Sequence, residues 1–337
     1  MQNHAQGSPA RQPGRAAFAA FVGTTIEWYD FYIYAMASAL IFNKLFFPQG
    51  DPFYAMLASF GTFAVGFFAR PFGGLIFGHI GDRIGRKKAL VATLAIMGIG
   101  TVGIGFLPTY ASAGVLAPTL LVVLRIAQGI AIGGEWGGAV LMAGEHAPQR
   151  KRTFLASFAQ LGSPAGLILA LLAFKTVGHL PRETLMGWGW RLPFLGSAVL
   201  VLMGLWVRLK LTETPAFRQA MEQAEPPKVP IAELFRDHMG PTLAGTFAAV
   251  ACFATYYLAT AFALGYATKT LGVPKETFLS IQIGAILFMA LGIALAGWWS
   301  DLRTPRYVLI AGCVGTIATG ILLGPMFTGG ALLLIAG

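Results

Sequence analysis

A chain of 337 residues with 56% hydrophobic and only 11% charged side chains, and a mean hydropathy of +0.67, carries more apolar surface than a water-soluble domain can bury. Its apolar runs, roughly 16 to 27 residues long, suit membrane-crossing helices rather than the short alternating strands of a barrel. The net charge of +10 does not indicate nucleic acid, because the basic residues gather in short loops between the apolar runs, as membrane topology requires.

Taken in chain order, the runs are Ala16 to Phe42, Tyr54 to Phe77, Ala89 to Leu107, Val115 to Leu141, Phe154 to Phe174 and Leu192 to Val207. A charged stretch with Pro226, Pro227 and Pro230 follows, then Thr242 to Ala267, Phe278 to Trp298, Tyr307 to Leu323 and an apolar stub, Gly329 to Gly337. The pattern predicts an all-α membrane protein of about nine spans plus a stub. Its parts are a tail (1–15), a six-helix bundle (16–207), a central loop read as a solvated linker (208–240) and a partial second bundle (241–337).

The first run follows Arg11 and Arg15 but is too long for a signal peptide and lacks a small-residue cleavage site, so it is expected to remain as an anchor. Of the basic loop residues, 16 fall on one side and 6 on the other. That asymmetry puts the N-terminus and the central loop, with Arg208 counted in it, in the cytoplasm. Cys252 and Cys313 lie within apolar runs and read as packing residues.

Ionisable groups inside spans are costly and mark functional candidates: Glu27 and Asp30 in the first, Arg70 in the second, Arg125 and Glu135 in the fourth. At 1.5 Å per residue Asp30 lies roughly 21 Å from the cytoplasmic end and Arg125 roughly 15 Å from the opposite face, which are compatible depths. Helical spacing puts Glu27, Asp30 and Tyr34 on one face, and Arg125, Gln128 and Glu135 on another. Burial raises a carboxylate's pKa and a nearby arginine lowers it, so an acid at Asp30 or Glu27 that gains and loses Arg125 can bind and release a proton. The alternative is a static ion pair that fixes helix register.

Arg70, taken as two turns from the cytoplasmic end beside Pro71, is expected to snorkel to the headgroups. Gly129, Gly133 and Gly137 predict a smooth packing face on the fourth span, and Gly162 and Gly166 another around Pro164. Gln160, Tyr256 and Gln282 are polar groups for substrate contact or for bonds to other helices.

Between the second and third spans lies GHIGDRIGRKK, Gly78 to Lys88. Gly78, Gly81 and Gly85 permit a tight turn, and Asp82 sits among Arg83, Arg86 and Lys87. Taken alone, this is also how a topogenic charge cluster looks. A weaker copy, GWWSDLRTPR from Gly297 to Arg306, keeps Asp301 at the same offset and replaces the second glycine with Thr304. A repeat between halves is what a two-bundle transporter predicts.

The loop resembles the signature of the major facilitator superfamily. EWYDFYIY (Glu27 to Tyr34), RIAQGIAIGGEWGGA (Arg125 to Ala139), WGWRLPF (Trp188 to Phe194) and ETPAF (Glu213 to Phe217) resemble its metabolite:proton symporters. That branch includes shikimate, oxoglutarate, citrate and proline/betaine carriers, and TAFALGYATKTLGVPKETFL from Thr260 is most similar to the shikimate type.

The resemblance implies symport of a small carboxylate with protons by alternating access, in the inner membrane of a bacterium, by a monomer without cofactor or metal. Gating is expected at the two loop copies, through Gly78, Asp82, Arg83, Gly85, Arg86 and Asp301, and the ionisable groups inside the spans make Asp30, Glu27, Arg125 and Glu135 the proton-coupling candidates. Substrate contacts fall to Arg125, Tyr34, Gln128, Gln160, Tyr256 and Gln282.

Members of the superfamily resemble one another in having twelve spans, whereas this chain stops within the tenth, so a transport-inactive fragment or a transporter-like sensor is the alternative. An ATP-driven pump is excluded by the lack of a GxxxxGK[ST] loop, and an intramembrane metalloenzyme finds no HExxH.

Overall fold

The computed structural model describes residues 12–48, 51–223, 236–258 and 271–328, with residues 234, 263, 266 and 267 besides. Within these the chain is helical. Six long helices form the first unit: α1 (Pro13–Ala37), α2 (Pro52–Arg83), α3 (Arg86–Phe106), α4 (Leu116–His146), α5 (Phe158–Gly178) and α6 (Leu192–Leu209). Three more, α7 (Met239–Tyr257), α8 (Lys275–Leu302) and α9 (Pro305–Thr328), belong to the second. The chain divides into two compact units, Met1–Lys228 and Val229–Gly337. The apolar stub from Gly329 lies outside the described residues.

The helix ends follow from local chemistry. Pro13 and Pro52 occupy first-turn positions, where the missing N–H costs nothing, and Asp51 caps α2 by accepting from the Phe53 amide at 2.7 Å. Between α2 and α3 the chain reverses at Gly85, whose φ of 128° only glycine adopts without strain. α1 runs on through a π-helical turn, Ser38–Phe42.

In the first unit α1 packs on α5, α2 on α4, and α3 against both α4 and α6. Missing side chains make these approaches possible. A methyl on Gly129 would strike the Gly66 carbonyl, one on Gly133 the Arg70 carbonyl, and one on Gly162 or Gly166 the backbone of α1 at Thr24, Thr25 and Tyr29. Thr24 donates across the α1–α5 contact to the Ala159 carbonyl at 2.6 Å. Gly137 departs from the expected stripe: it has open space beside it, and Gly134 and Gly138 instead meet Phe77 and Leu90.

Toward the far end of α1 the core is aromatic, with Phe42, Phe46, Trp190 and Phe194 interlocked at centroid distances of 5.1 to 6.1 Å. Arg191 ties α6 to the end of α3 by donating to the Leu107 carbonyl at 2.8 Å.

Among the described residues seven helices are long and apolar enough to cross a membrane; α1 and α7 are not among the seven. α1 carries Glu27 and Asp30 along its length, and both α1 and α7 are helical over 25 and 19 residues. Among the described residues nine long helices thus stand where nine apolar runs were read.

Residues 208–223, the first part of the stretch read as a linker, are not wholly solvated. Arg208, Leu211 and Thr214 are buried, and a short helix, Pro215–Gln223, follows.

Candidate functional site

The centre of the first unit holds a polar network in apolar surroundings. Arg125 of α4 donates from Nη1 to Asp30 Oδ2 of α1 at 3.1 Å, and the two side chains are only 2% and 1% exposed. Thr101 of α3 donates to Asp30 Oδ1 at 2.6 Å, and Gln128 Nε2 reaches the same oxygen at 2.9 Å. The carboxylate therefore has three protein donors from two neighbouring helices. Such coverage is what a buried charge requires.

The Arg125 guanidinium lies over the Tyr34 ring at 4.1 Å and near Phe63 at 5.3 Å, a cation–π shelf that holds its plane. Tyr34 in turn shares a 2.6 Å hydrogen bond with Thr62. Two glycines make room: a methyl on Gly66 would lie 2.9 Å from Arg125 Nε, and one on Gly100 would lie 2.6 Å from Gln128 Cγ. Arg125 Nε has no hydrogen-bond partner, so the guanidinium retains donor capacity.

A second buried network lies closer to the start of α1. Glu135 of α4 is paired with Arg208 at the end of α6, accepts from Arg208 Nη1 at 2.9 Å and from Thr93 at 2.7 Å, and is 1% exposed. Arg208 also donates to the Leu90 carbonyl of α3. Arg208, read from sequence as a cytoplasmic loop residue, is thus a core residue. The signal available was Glu135 itself, an acid inside a span with no assigned partner.

Glu27 does not share the Arg125 site. Its charged neighbours are Arg70, Glu135, Arg208 and Asp30, and its Oε2 has no hydrogen-bond partner. Nor does Arg70 snorkel as expected. α2 continues to Arg83, so Arg70 lies about 20 Å from that end at 1.5 Å per residue. Its guanidinium stacks over Phe67 at 4.5 Å and Phe31 at 5.8 Å.

At the α2–α3 turn Asp82 pairs with Arg86 one turn later, and Arg86 Nε is 4.0 Å from Glu145 at the end of α4. Glu213, from the ETPAF stretch, accepts from the backbone amides of Arg86 at 3.1 Å and Lys87 at 3.2 Å. A carboxylate at a helix start satisfies orphan amides and favours the local dipole. Gly78, Gly81, Asp82 and Arg86 line a cavity of about 370 Å³ beside Gly133, Gly134 and Gly137. Arg83 ends α2 and is exposed.

The remaining candidates are dispersed. Gln160 of α5 accepts from Trp136 Nε1 at 3.3 Å, away from Arg125. Tyr256 on α7, and Gln282 and Asp301 on α8, belong to the second unit. Asp301 lies just before the α8–α9 turn, as Asp82 does before the α2–α3 turn. No group of metal-ligating side chains occurs among the described residues.

Comparison with known proteins agrees with this architecture. Residues 16–228 match the family model "Sugar (and other) transporter". The chain is 44% identical over 299 residues to the inner membrane metabolite transport protein YhjE of Escherichia coli K12, covering 87% of this chain and 68% of that one. It is 43% identical over 308 residues to the shikimate transporter of the same organism, covering 90% and 70%. With the proline/betaine transporter of Salmonella typhimurium LT2 it shares 36% over 320 residues, covering 91% and 63%.

The crystal structure of a D-xylose-proton symporter superposes with a TM-score of 0.62 at 18% identity, over 96% of this chain and 77% of that one. An inward-open xylose transporter XylE from E. coli gives 0.58 at 18%, over 90% and 94%. With the family match covering residues 16–228, more than half of the chain, and several relatives above 40% identity, the chain belongs to the sugar (and other) transporter family of the major facilitator superfamily.

Proposed function

We propose that this metabolite transporter is a proton-coupled symporter of a small carboxylate, of the shikimate or dicarboxylate kind, residing as a monomer in a bacterial inner membrane with its N-terminus in the cytoplasm. The observation that carries the reading is the Asp30–Arg125 pair, an acid and a guanidinium 3.1 Å apart, shielded from solvent and surrounded by hydrogen-bonding side chains.

A substrate carboxylate that takes over Arg125 leaves Asp30 as a buried anion without its counter-charge. Such a group binds a proton, and the Thr101 and Gln128 side chains keep it oriented. Release of substrate lets Asp30 return to Arg125 and expel the proton. Gln128 and Tyr34 flank the anion position, and Gln160, Tyr256 and Gln282 are proposed as further substrate contacts. Glu27 and Glu135 are the remaining proton-coupling candidates. Gly78, Asp82, Arg83, Gly85, Arg86 and Asp301 form the turns proposed to gate access.

Similarity to a shikimate transporter and to proline/betaine transporters supports a carboxylate cargo, and the basic bias of one set of loops supports the orientation. The test is uptake of labelled shikimate and several dicarboxylates into proteoliposomes, with and without an imposed inward proton gradient. Uptake that rises with the gradient, and loses that dependence in Asp30→Asn while substrate exchange persists, is the expected result. Gradient-dependent uptake unchanged in Asp30→Asn would overturn the coupling role.

A further inference from the structure

An apolar groove of about 410 Å³ runs between α1, α5 and α6, lined among others by Phe18, Val22, Ile26, Ile168 and Met203. The transport site makes no use of it. Phe18 is 49% exposed and Met203 48%, so the groove opens on the bundle's outer surface. A groove of this size is comparable to a small-ligand site, and its lining holds no charged side chain.

The two ridges that bound it end in cations. On α1 the stripe Val22, Phe18, Arg15 follows helical spacing, so Arg15, which is exposed, continues the groove toward the start of α1. On α6 the stripe Met203, Trp206, Lys210 does the same toward the helix end. Lys210 Nζ sits 3.6 Å from the Trp206 ring centroid, and Trp206 is 59% exposed. Each cation lies about 10 Å beyond Val22 or Met203 at 1.5 Å per residue. An apolar trough with an aromatic and two basic groups at the same end has the order of a phospholipid: acyl chain, interface, phosphate.

We propose that this groove is a binding site for an anionic glycerophospholipid, with one acyl chain in the trough and the phosphate held by Arg15 and Lys210. Charge complementarity favours this occupant over a second copy of the chain. The chain carries a net +10, and a copy inserted in the same sense would bring its own basic end against Arg15 and Lys210.

The test is titration of the purified, delipidated full chain with phosphatidylglycerol and, separately, phosphatidylcholine of the same acyl chains, read as bound lipid by native mass spectrometry. Phosphatidylglycerol is expected to bind more tightly. Arg15→Gln and Lys210→Gln are each expected to weaken it roughly fivefold and the double variant about 30-fold, at about 1 kcal/mol per surface charge. Lys44→Gln with Arg182→Gln, exposed charges at the opposite end of the bundle, is the control and should change little.

Filling the trough with Ala165→Phe should weaken both lipids. Equal affinity for the two lipids, an equal loss in the control variant, or lipid-independent dimers on this face would overturn the proposal. None of these readouts depends on transport.

Discussion

Arg208 reaches Glu135 across the position where residue 23 has no side chain. A methyl added at Gly23 would overlap the Arg208 guanidinium and lie 2.8 Å from Glu135 Oε1. One glycine on α1 therefore admits an ion pair that joins α4 and α6, with the Leu90 carbonyl of α3 as a further acceptor.

Removing either partner leaves the other buried and unpaired, at a cost of roughly 3–5 kcal/mol. Glu135→Ala and Arg208→Ala are each expected to lower the thermal midpoint of the purified protein substantially. The double replacement Glu135→Leu with Arg208→Met should be much milder. Equal losses in the single and double variants, measured by scanning fluorimetry, would count against an interdependent pair.

Tyr34 contributes a ring and a hydroxyl, and these are separable. Tyr34→Phe removes the 2.6 Å bond to Thr62 but keeps the face beneath Arg125, so a stability loss near 1 kcal/mol with transport largely retained is expected. Tyr34→Leu removes the cation–π shelf as well, and substrate KM should rise further. Uptake kinetics on the two variants distinguish the contributions.

Gly66 and Gly100 give Arg125 and Gln128 their space. Alanine at either position forces a shift that typically costs about 1–3 kcal/mol. The expected outcome is weaker carboxylate uptake with little change in the α2–α3 turn, read by comparing transport with hydrogen exchange at residues 86–89.

Glu213 is the N-terminal cap of α3 in all but sequence position. Glu213→Ala should cost about 1 kcal/mol and raise exchange of the Arg86 and Lys87 amides. Gly85→Ala should do more, since it adds strain at φ 128° and crowds the Glu213 carboxylate. Unchanged exchange in both variants would remove the capping role.

Much of the architecture was legible because its signals are local. Among the described residues each of the nine apolar runs contains a long helix, and the depths read for Asp30 and Arg125 put them within reach of each other, as the 3.1 Å contact requires. What escaped the sequence depends on where helices end and which way they turn. Arg208 was assigned to a loop because the apolar run stops at Val207, yet α6 continues to Leu209 and carries the guanidinium inward. The apolar run's end at Phe77 predicts a snorkelling Arg70, whereas its guanidinium stacks over Phe67 and Phe31.

Glu27 shares a helical face with Asp30 only approximately, and its charged neighbours are Arg70, Glu135, Arg208 and Asp30. Gly137 shows the same limit, since a period of four drifts around a helix of 3.6 residues per turn and the packing face passes to Gly134 and Gly138. The capping by Glu213 joins residues 127 apart in the chain, and no local pattern announces that.

The two buried ion pairs have an electrostatic consequence for any cargo. Asp30 balances Arg125 and Glu135 balances Arg208. With both pairs ionised these sites are electroneutral, and a substrate anion entering alone leaves one uncompensated negative charge in a medium that tolerates such charge poorly. Under the proposed mechanism the proton keeps the loaded state as neutral as the empty one, and a neutral or zwitterionic cargo would enter without needing it.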